Sequence, residues 1–171
     1  MKAFSGGGIK SVQRGVSTVP DATSTITINT VDPTKCLVIV DKFGNGGSAV
    51  YDEFRYNAVG VISNSTTLSL IVKSTNSLID YAWTVVEFSN GSIQHGTIAP
   101  TSTGTFNATI NAVDIDKAIL VFVRAQSNFT TGLGDELRER AKVELTSPTN
   151  IAATFVVYNS VFRIEYMIWS P

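Results

Sequence analysis

The chain has 171 residues, a length that fits one ordinary domain or two small ones with a packed core. Hydrophobic residues make up 43% of it and charged residues 16%, yet no apolar run approaches the roughly 20 residues of a membrane-spanning helix, so a membrane is not an expected partner. Thirteen Lys and Arg against fourteen Asp and Glu leave a net charge of −1 without a basic stripe, so nucleic acid is not an expected partner either.

The chain begins with residues 1–8, which are predicted to form a flexible N-terminal arm. This start has no apolar stretch of signal-peptide length, so synthesis and folding in a cytoplasm are expected. The segment GGGIKS at 6–11 has a faint likeness to a phosphate-binding loop. It departs from that motif because Ile9 separates glycine from lysine and no predicted strand precedes it.

A short motif near the start occurs twice. SVQRG at 11–15 returns as SIQHG at 92–96, 81 positions later, and the match extends along 12–40 and 93–123. A period of this length predicts a tandem duplication of one structural unit.

The duplication predicts two β repeats, the first at 9–89 and the second at 90–171, which could form one compact pseudo-two-fold unit. Their ends, AWTVVEF at 82–88 and RIEYMIW at 163–169, agree in pattern at the same offset of 81. The opening strand of each repeat is predicted to end in a turn or bulge, at Gly15 and Gly96.

Two kinds of strand follow in each repeat. STITIN at 24–29 and TFNATIN at 105–111 alternate polar and apolar residues, which predicts half-buried strands. KCLVIV at 35–40 and KAILVFV at 117–123 are continuous apolar runs, which predict strands covered on both faces.

Later strands complete each repeat. They are predicted at 53–62, 67–73 and 80–88, and again at 136–145, 150–157 and 161–169. About six strands per repeat predict an all-β fold made of two antiparallel, sandwich-like units. The segment ELRERAKVEL at 136–145 also fits an amphipathic helix, but a strand is favoured because duplicated units should fold alike.

The joint between the repeats contains Asn90-Gly91, a strong hairpin signal. It predicts that the last strand of repeat one pairs with the first strand of repeat two, so that the halves share a sheet. Residues 165–169 would then pair with 9–13, either within the chain or between chains by strand exchange, and a homo-oligomer is expected.

Two sets of contact residues follow from this arrangement. The candidate assembly contacts are Ile9, Val12, Gln13, Arg14, Tyr166 and Trp169. Two Gly-rich loops at matching places in the repeats supply the candidate loop contacts Phe43, Asn45, Tyr51 and Phe129.

Residues that could carry chemistry are few. Cys36 is the only cysteine, which excludes an intrachain disulfide and a cysteine-based metal cluster and suggests a small buried hydrophobe. His95 is the only histidine and is expected to be an exposed residue at a strand end. Asp32 and Asp114 recur in equivalent turns, where each is expected to bond the backbone ahead of it rather than act as an acid or base. No catalytic, metal or cofactor-binding residue and no cofactor are predicted, and the protein is not expected to be an enzyme.

The motifs of repeat one resemble a unit that recurs in virion structural proteins of tailed bacteriophages, of the tail or tail-fibre type. That unit has an Ile-Gln-Arg-Gly opening, a Val-Asp-x-x-Lys turn and a Trp-x-Val-Val-Glu-Phe ending, matched here at 12–15, 31–35 and 83–88. Repeat two lacks that ending and has His95 in place of the arginine. It keeps Ile93, Gln94, Gly96, Val113, Asp114 and Lys117.

The resemblance implies a non-enzymatic virion component, made in the cytoplasm of a host bacterium. Such a protein would be associated with the tail or tail fibre and would assemble in multiple copies, through β-strand and loop contacts with itself and with other virion proteins. Two alternatives stay open: a capsid decoration or cement protein, and an adhesin module that binds a host receptor or a host surface glycan.

Overall fold

The computed structural model describes residues 8–19, 23–42, 58–72, 79–126, 141–155 and 163–171. In these ranges the chain is almost entirely β-structure, which confirms the predicted fold class. One 3-10 turn, Pro33–Lys35, accompanies the described strands. These are β1 Ile9–Val19, β2 Thr23–Thr27, β3 Cys36–Lys42, β4 Val59–Asn64, β5 Thr67–Ile71, β6 Ile79–Phe88, β7 Ser92–Ile98, β8 Gly104–Thr109, β9 Ile119–Gln126, β10 Ala141–Ser147, β11 Asn150–Phe155 and β12 Arg163–Ser170.

The strands form four antiparallel three-stranded sheets whose orders correspond between the halves. The first half contains β1-β6-β3 and β2-β5-β4, and the second contains β7-β12-β9 and β8-β11-β10. An irregularity between Ile62 and Asn64 has its counterpart between Leu145 and Ser147. Internal duplication stays a prediction, and this matched topology supports it.

The strand register corrects the alignment of the repeat ends. Gly15 pairs with Trp83, and its counterpart Gly96 pairs with Tyr166. Trp83 therefore corresponds to Tyr166 at an offset of 83, so the expected offset of 81 was two residues too short for this strand. The reason is that strand pairing, rather than the apolar pattern of the strand ends, fixes which residues are equivalent.

Each half has a core between its two sheets. In the first half, alternate β6 residues are buried in one apolar cluster with β5 residues, including Tyr81, Val85, Leu68 and Leu70. In the second half, the corresponding cluster includes Ile151, Phe155, Ile164, Tyr166 and Ile168. Burial of each large apolar side chain contributes about 1.5–3 kcal/mol, so these clusters hold the paired sheets together.

The segment 136–145, whose sequence fits either a helix or a strand, is a strand in its described part. Ala141–Ser147 pairs with β11, and Ala141, Val143 and Leu145 lie against the second core. The helix alternative is wrong for these residues because their side chains alternate with a period of two.

The predicted hairpin between the halves is wrong. β6 lies between β1 and β3, so both of its edges are already paired and none is left for β7. Asn90 and Gly91 do form a bend, and Gly91 has a φ of +81°, but the chain leaves the first sheet there and enters another. The two halves therefore do not share a sheet.

The predicted pairing of residues 165–169 with 9–13 is also wrong, both within the chain and as strand exchange. β12 is the central strand of its sheet and pairs with β7 and β9, while β1 pairs with β6. Each half closes with its last strand inserted between its own first and third strands.

The halves contact each other through sheet faces. The rings of Phe88 and Trp169 lie 5.8 Å apart between centroids, and Ile93 and Met167 belong to the same apolar cluster as the first core. Leu37, Val86 and Val121 pack against this cluster. The outward face of β7-β12-β9 is thus covered where it meets the Phe88 end of β1-β6-β3.

Candidate functional site

The repeated glutamine ties an opening strand to a loop in both halves. The Gln13 side-chain amide donates to the Asn29 carbonyl at 3.0 Å, and its Oε1 accepts from the Asn29 N–H at 2.7 Å. Gln94 and Asn111 make the same two bonds at 3.1 and 2.8 Å. These side-chain amides are committed to the chain's own backbone, so the motif has a structural use.

The repeated glycines make room for aromatic rings. Gly15 and Gly96 lie within β1 and β7, so the expectation that they end these strands is wrong. A Cβ on Gly15 would lie 2.7 Å from Cε2 of Trp83, and one on Gly96 would lie 2.9 Å from Cε1 of Tyr166. An aromatic side chain on the neighbouring strand covers each glycine, a known way to stabilise a glycine within a sheet.

The repeated aspartates cap turns, as predicted. Asp32 Oδ1 accepts from the Thr34 N–H at 3.0 Å, and Asp114 Oδ1 accepts from the Asp116 N–H at 3.1 Å. The bonds from the Thr34 hydroxyl and N–H lower the pKa of Asp32. Lys117 Nζ lies 2.7 Å from Asp114, an exposed ion pair that contributes little to stability.

Glu87 is a buried carboxylate at the end of β6, with only 1% of the residue exposed. Its Oε1 accepts from Lys10 Nζ at 2.8 Å and from the Asp32 N–H at 3.0 Å, and its Oε2 accepts from the Ser11 hydroxyl at 2.9 Å. Burial opposes ionisation, but these bonds outweigh it, so the pKa of Glu87 lies below its ordinary value. The bond with Glu87 also raises the pKa of Lys10. Glu87 therefore anchors β1 and the Asp32 turn to β6.

The second half has no carboxylate at the position of Glu87. Glu87 pairs with Ser11, and their counterparts Ser170 and Ser92 pair with each other. This anchor was not foreseen, because only the strand register brings Lys10 and Asp32 to the same carboxylate.

An exposed apolar surface lies on the first half. Residues of β1-β6-β3 alternate between the core and the opposite face, and we call that opposite face the first outer face. On it, Val16, Ile39 and Val12 are 60%, 45% and 38% exposed. The face comprises Val12, Arg14, Val16, Thr18, Asp80, Ala82, Thr84, Val86, Phe88, Leu37, Ile39 and Asp41.

Val16 and Ile39 were missed by the sequence reasoning. The signal was available in β1, where Val12 and Val16 lie on one face while Val19 lies on the other. A strand with apolar residues on both faces either is buried on both or has an unpartnered side. The first outer face is such an unpartnered side, and it is the candidate functional site.

The predicted assembly contacts fall into two groups. Ile9, Val12 and Arg14 are exposed on β1. The other three have their side chains turned into the chain: Gln13 holds Asn29, while Tyr166 and Trp169 are each 5% exposed. The structure therefore brings together three of the six residues on an accessible surface.

The predicted loop contacts cannot be placed. Phe43, Asn45, Tyr51 and Phe129 lie outside the residues that the structure describes.

A shallow, open groove of about 430 Å³ borders the hydrogen bonds between Gln94 and Asn111 in the second half. It is lined by Ile93, Gln94, His95, Thr109, Ile110, Asn111 and Tyr166. His95 lies in the middle of β7 and not at a strand end, although it is exposed as expected. Partial desolvation lowers the pKa of His95, and a hydrogen bond with the Cys36 backbone partly offsets this. The amide of Gln94 is already bonded to the Asn111 backbone, so this side chain is not available to a ligand in the groove.

Cys36 is buried, as expected, and burial raises the pKa of its thiol to about 11. The protonated thiol is a poor nucleophile and a poor metal ligand. Among the described residues, no three His, Cys, Asp or Glu side chains are grouped to hold a metal ion. No helical segment within the described ranges has the length and apolar character of a membrane crossing.

Comparisons with known proteins give no matching family model, no matching curated protein and no matching solved structure.

Proposed function

We propose that the protein is a non-enzymatic structural component of a tailed-phage particle, associated with the tail or tail fibre and assembled in multiple copies. The observation that carries this proposal is the first outer face, where Val12, Val16 and Ile39 are exposed on one sheet. These residues share one face with Arg14 and Thr84 between them, and an exposed apolar face with polar neighbours is typical of a surface that another protein covers.

The use of the repeated polar residues supports a structural role. Gln13, Gln94, Asp32 and Asp114 all bond the chain's own backbone. They stabilise two similar sheet units and leave the sheet surfaces as the means of contact with other proteins. We infer the kind of particle from a resemblance to phage tail proteins. The motifs that carry it are Gln-Arg-Gly, Val-Asp-x-x-Lys and Trp-x-Val-Val-Glu-Phe.

Immunogold electron microscopy tests this function. Antibodies raised against the purified chain are applied to particles from the source lysate, with antibody pre-adsorbed on the same protein as the control. Gold on tails or fibres is the expected result. Gold over heads would contradict the tail location and favour a decoration protein, and particles without gold would overturn the phage assignment.

A further inference from the structure

We propose that a second copy of this chain packs on the first outer face, forming a two-fold dimer in which Val16 lies against the partner's Val16. This inference rests on the proposed structural function and names the first partner of the site.

The chain itself shows what packs on a face of this kind. The counterpart face on β7-β12-β9 contains Ile93, Met167 and Trp169, which are all buried. They belong to one apolar cluster with the Phe88 end of the first outer face. Apolar contact between these two faces is therefore already made once inside the chain, at the Phe88 end, and the open part of the first outer face continues from it.

The position of the second half limits how a copy can fit. It covers the first outer face around Val86 and Phe88, so the open area lies toward the Ile79 end of β6. A two-fold axis parallel to the strands would bring the second half of each chain onto the same place. A two-fold axis that crosses the strands at Val16 instead places the second halves of the two chains at opposite ends of the interface. The open areas of the two first outer faces then meet.

Arg14 and Asp80 are arranged in a self-complementary way about this axis. Arg14 lies on one side of Val16 along β1, and Asp80, which pairs with Thr18, lies on the other side. Reversal of the strand direction about Val16 brings Arg14 over the partner's Thr18, one strand away from the partner's Asp80, to which that Thr18 donates a hydrogen bond. Sheets stack about 10 Å apart, a gap that an arginine side chain spans. Complementary charges of this kind fix the orientation of a complex more than its affinity.

One further charge lies near the dimer contact. Asp41 is on β3, at the opposite edge of the sheet from Val16. Packed sheets cross at about 30° because each is twisted, and this rotation separates the far edge strands. Asp41 pairs with Ala82, as Val16 does, so it lies on the same row across the strands and near the axis. The rotation reduces the repulsion between the two Asp41 side chains at the rim but does not remove it.

Molar mass measured against concentration gives the first test. The wild-type chain is expected to approach twice its 18.3 kDa mass in light scattering after size exclusion. Val16→Lys is expected to weaken the dimer at least tenfold, because it places a charge at the centre of the interface. Thr97→Lys is the matched control, since Thr97 is exposed at the counterpart position of β7.

Cross-linking of an introduced thiol tests the contact directly. Because Cys36 is buried and is the only native cysteine, a cysteine introduced at position 16 is the reactive thiol. Val16→Cys is expected to form a covalent dimer with a bis-maleimide cross-linker that spans about 10 Å, because a residue on a two-fold axis faces its own symmetry mate across the stacked sheets. A direct disulfide is not expected, because it needs Cα atoms within about 7 Å of each other. Thr97→Cys is expected to stay a single chain.

A charge swap tests the orientation. Arg14→Asp and Asp80→Arg each place like charges together in a homodimer, whereas a mixture of the two variants pairs opposite charges at both contacts. Each variant alone is expected to dissociate more readily than the wild type, and their equimolar mixture is expected to regain dimer mass. Circular dichroism confirms that each variant is folded.

A wild-type chain that keeps a single-chain mass up to about 1 mM, a concentration that detects even weak association, would overturn the dimer. So would Thr97 variants that behave like the Val16 variants. Failure here is distinct from failure of the proposed function: labelled particles with a monomeric protein would contradict only the dimer. A dimer without particle labelling would contradict only the phage role.

Discussion

Gln13 and Asn29 form a two-point clamp, in which one side-chain amide satisfies both the N–H and the carbonyl of a single backbone position, at 2.7 and 3.0 Å. Gln13 lies on β1, while Asn29 follows β2, which belongs to the other sheet of the same half. The clamp therefore joins the two sheets at their open edge. Its repetition by Gln94 and Asn111 explains why the opening motif occurs twice.

Replacing the clamp residue is expected to destabilise the fold. Gln13→Ala removes two hydrogen bonds and is expected to lower the free energy of unfolding by about 1–2 kcal/mol, with a similar loss for Gln94→Ala. Gln13→Glu keeps the acceptor for the Asn29 N–H but sets a carboxylate beside the Asn29 carbonyl, so it is expected to be no better than alanine. Urea denaturation followed by circular dichroism measures these differences.

Thr103→Ala, a change at an exposed loop residue, serves as the control for the clamp variants and is expected to stay within about 0.5 kcal/mol of the wild type. Gln13→Ala with wild-type stability would show that the clamp contributes nothing.

The glycines under the aromatic rings are expected to tolerate no side chain. In Gly15→Ala the new Cβ meets the Trp83 indole, and overpacking of this kind costs about 1–3 kcal/mol of unfolding free energy. Gly8→Ala is the matched control, because its Cβ would meet no ring and only the Ser89 hydroxyl, at 3.2 Å. The one interaction at risk there is the hydrogen bond that this hydroxyl donates to the Gly8 carbonyl. The double variant with Trp83→Leu is expected to lose less than the sum of the single changes. Additive losses in the denaturation midpoints would contradict the contact.

Local structure is predicted well from this sequence because it depends on patterns within short stretches of the chain. Alternation in STITIN and TFNATIN predicts β2 and β8, and an aspartate that bonds ahead predicts the Asp32 and Asp114 turns. Each of these features depends on a few consecutive residues.

Strand partners could not be predicted, since they depend on residues far apart in the chain. Asn90-Gly91 favours a hairpin locally, but β1 and β3 already occupy both edges of β6, and packing of the whole half decides the outcome. For the same reason the sequence could not show that Trp83 covers Gly15. The apolar pattern of β1 signals the exposed side of that strand, but only pairing through β6 places Val16 and Ile39 on one face.

Acid is expected to weaken the protein partly through Glu87. The pKa of this carboxyl in the folded chain lies below its ordinary value of 4.5, so its stabilising contribution is fully present above that pH. The contribution is lost as the pH falls below 4.5 and through the pKa of the folded state. Glu87→Gln removes the charge and is expected to cost about 1–3 kcal/mol at pH 7, with a smaller difference from the wild type at pH 3.

The control for Glu87 is Glu144→Gln, which alters an exposed ion pair with Lys142 and is expected to change the unfolding free energy at pH 7 by less than about 0.5 kcal/mol. Urea titrations at several pH values supply the comparison. An equal difference between Glu87→Gln and the wild type at pH 7 and pH 3 would refute the assigned role of the carboxylate.

Trp169 is expected to couple the unfolding of the two halves, because it lies on the second half yet is buried in the apolar cluster of the first. Trp169→Ala is expected to cost about 3–5 kcal/mol and to divide a single calorimetric transition into two, since the face of β7-β12-β9 loses its main contact with Phe88. Phe106→Ala is the matched control: its ring also lies 5.8 Å from a partner ring, that of Phe155, but both belong to the second half. It is expected to lower the transition temperature without dividing the transition. If Trp169→Ala still unfolds in one transition, the halves are held together by contacts other than this aromatic pair.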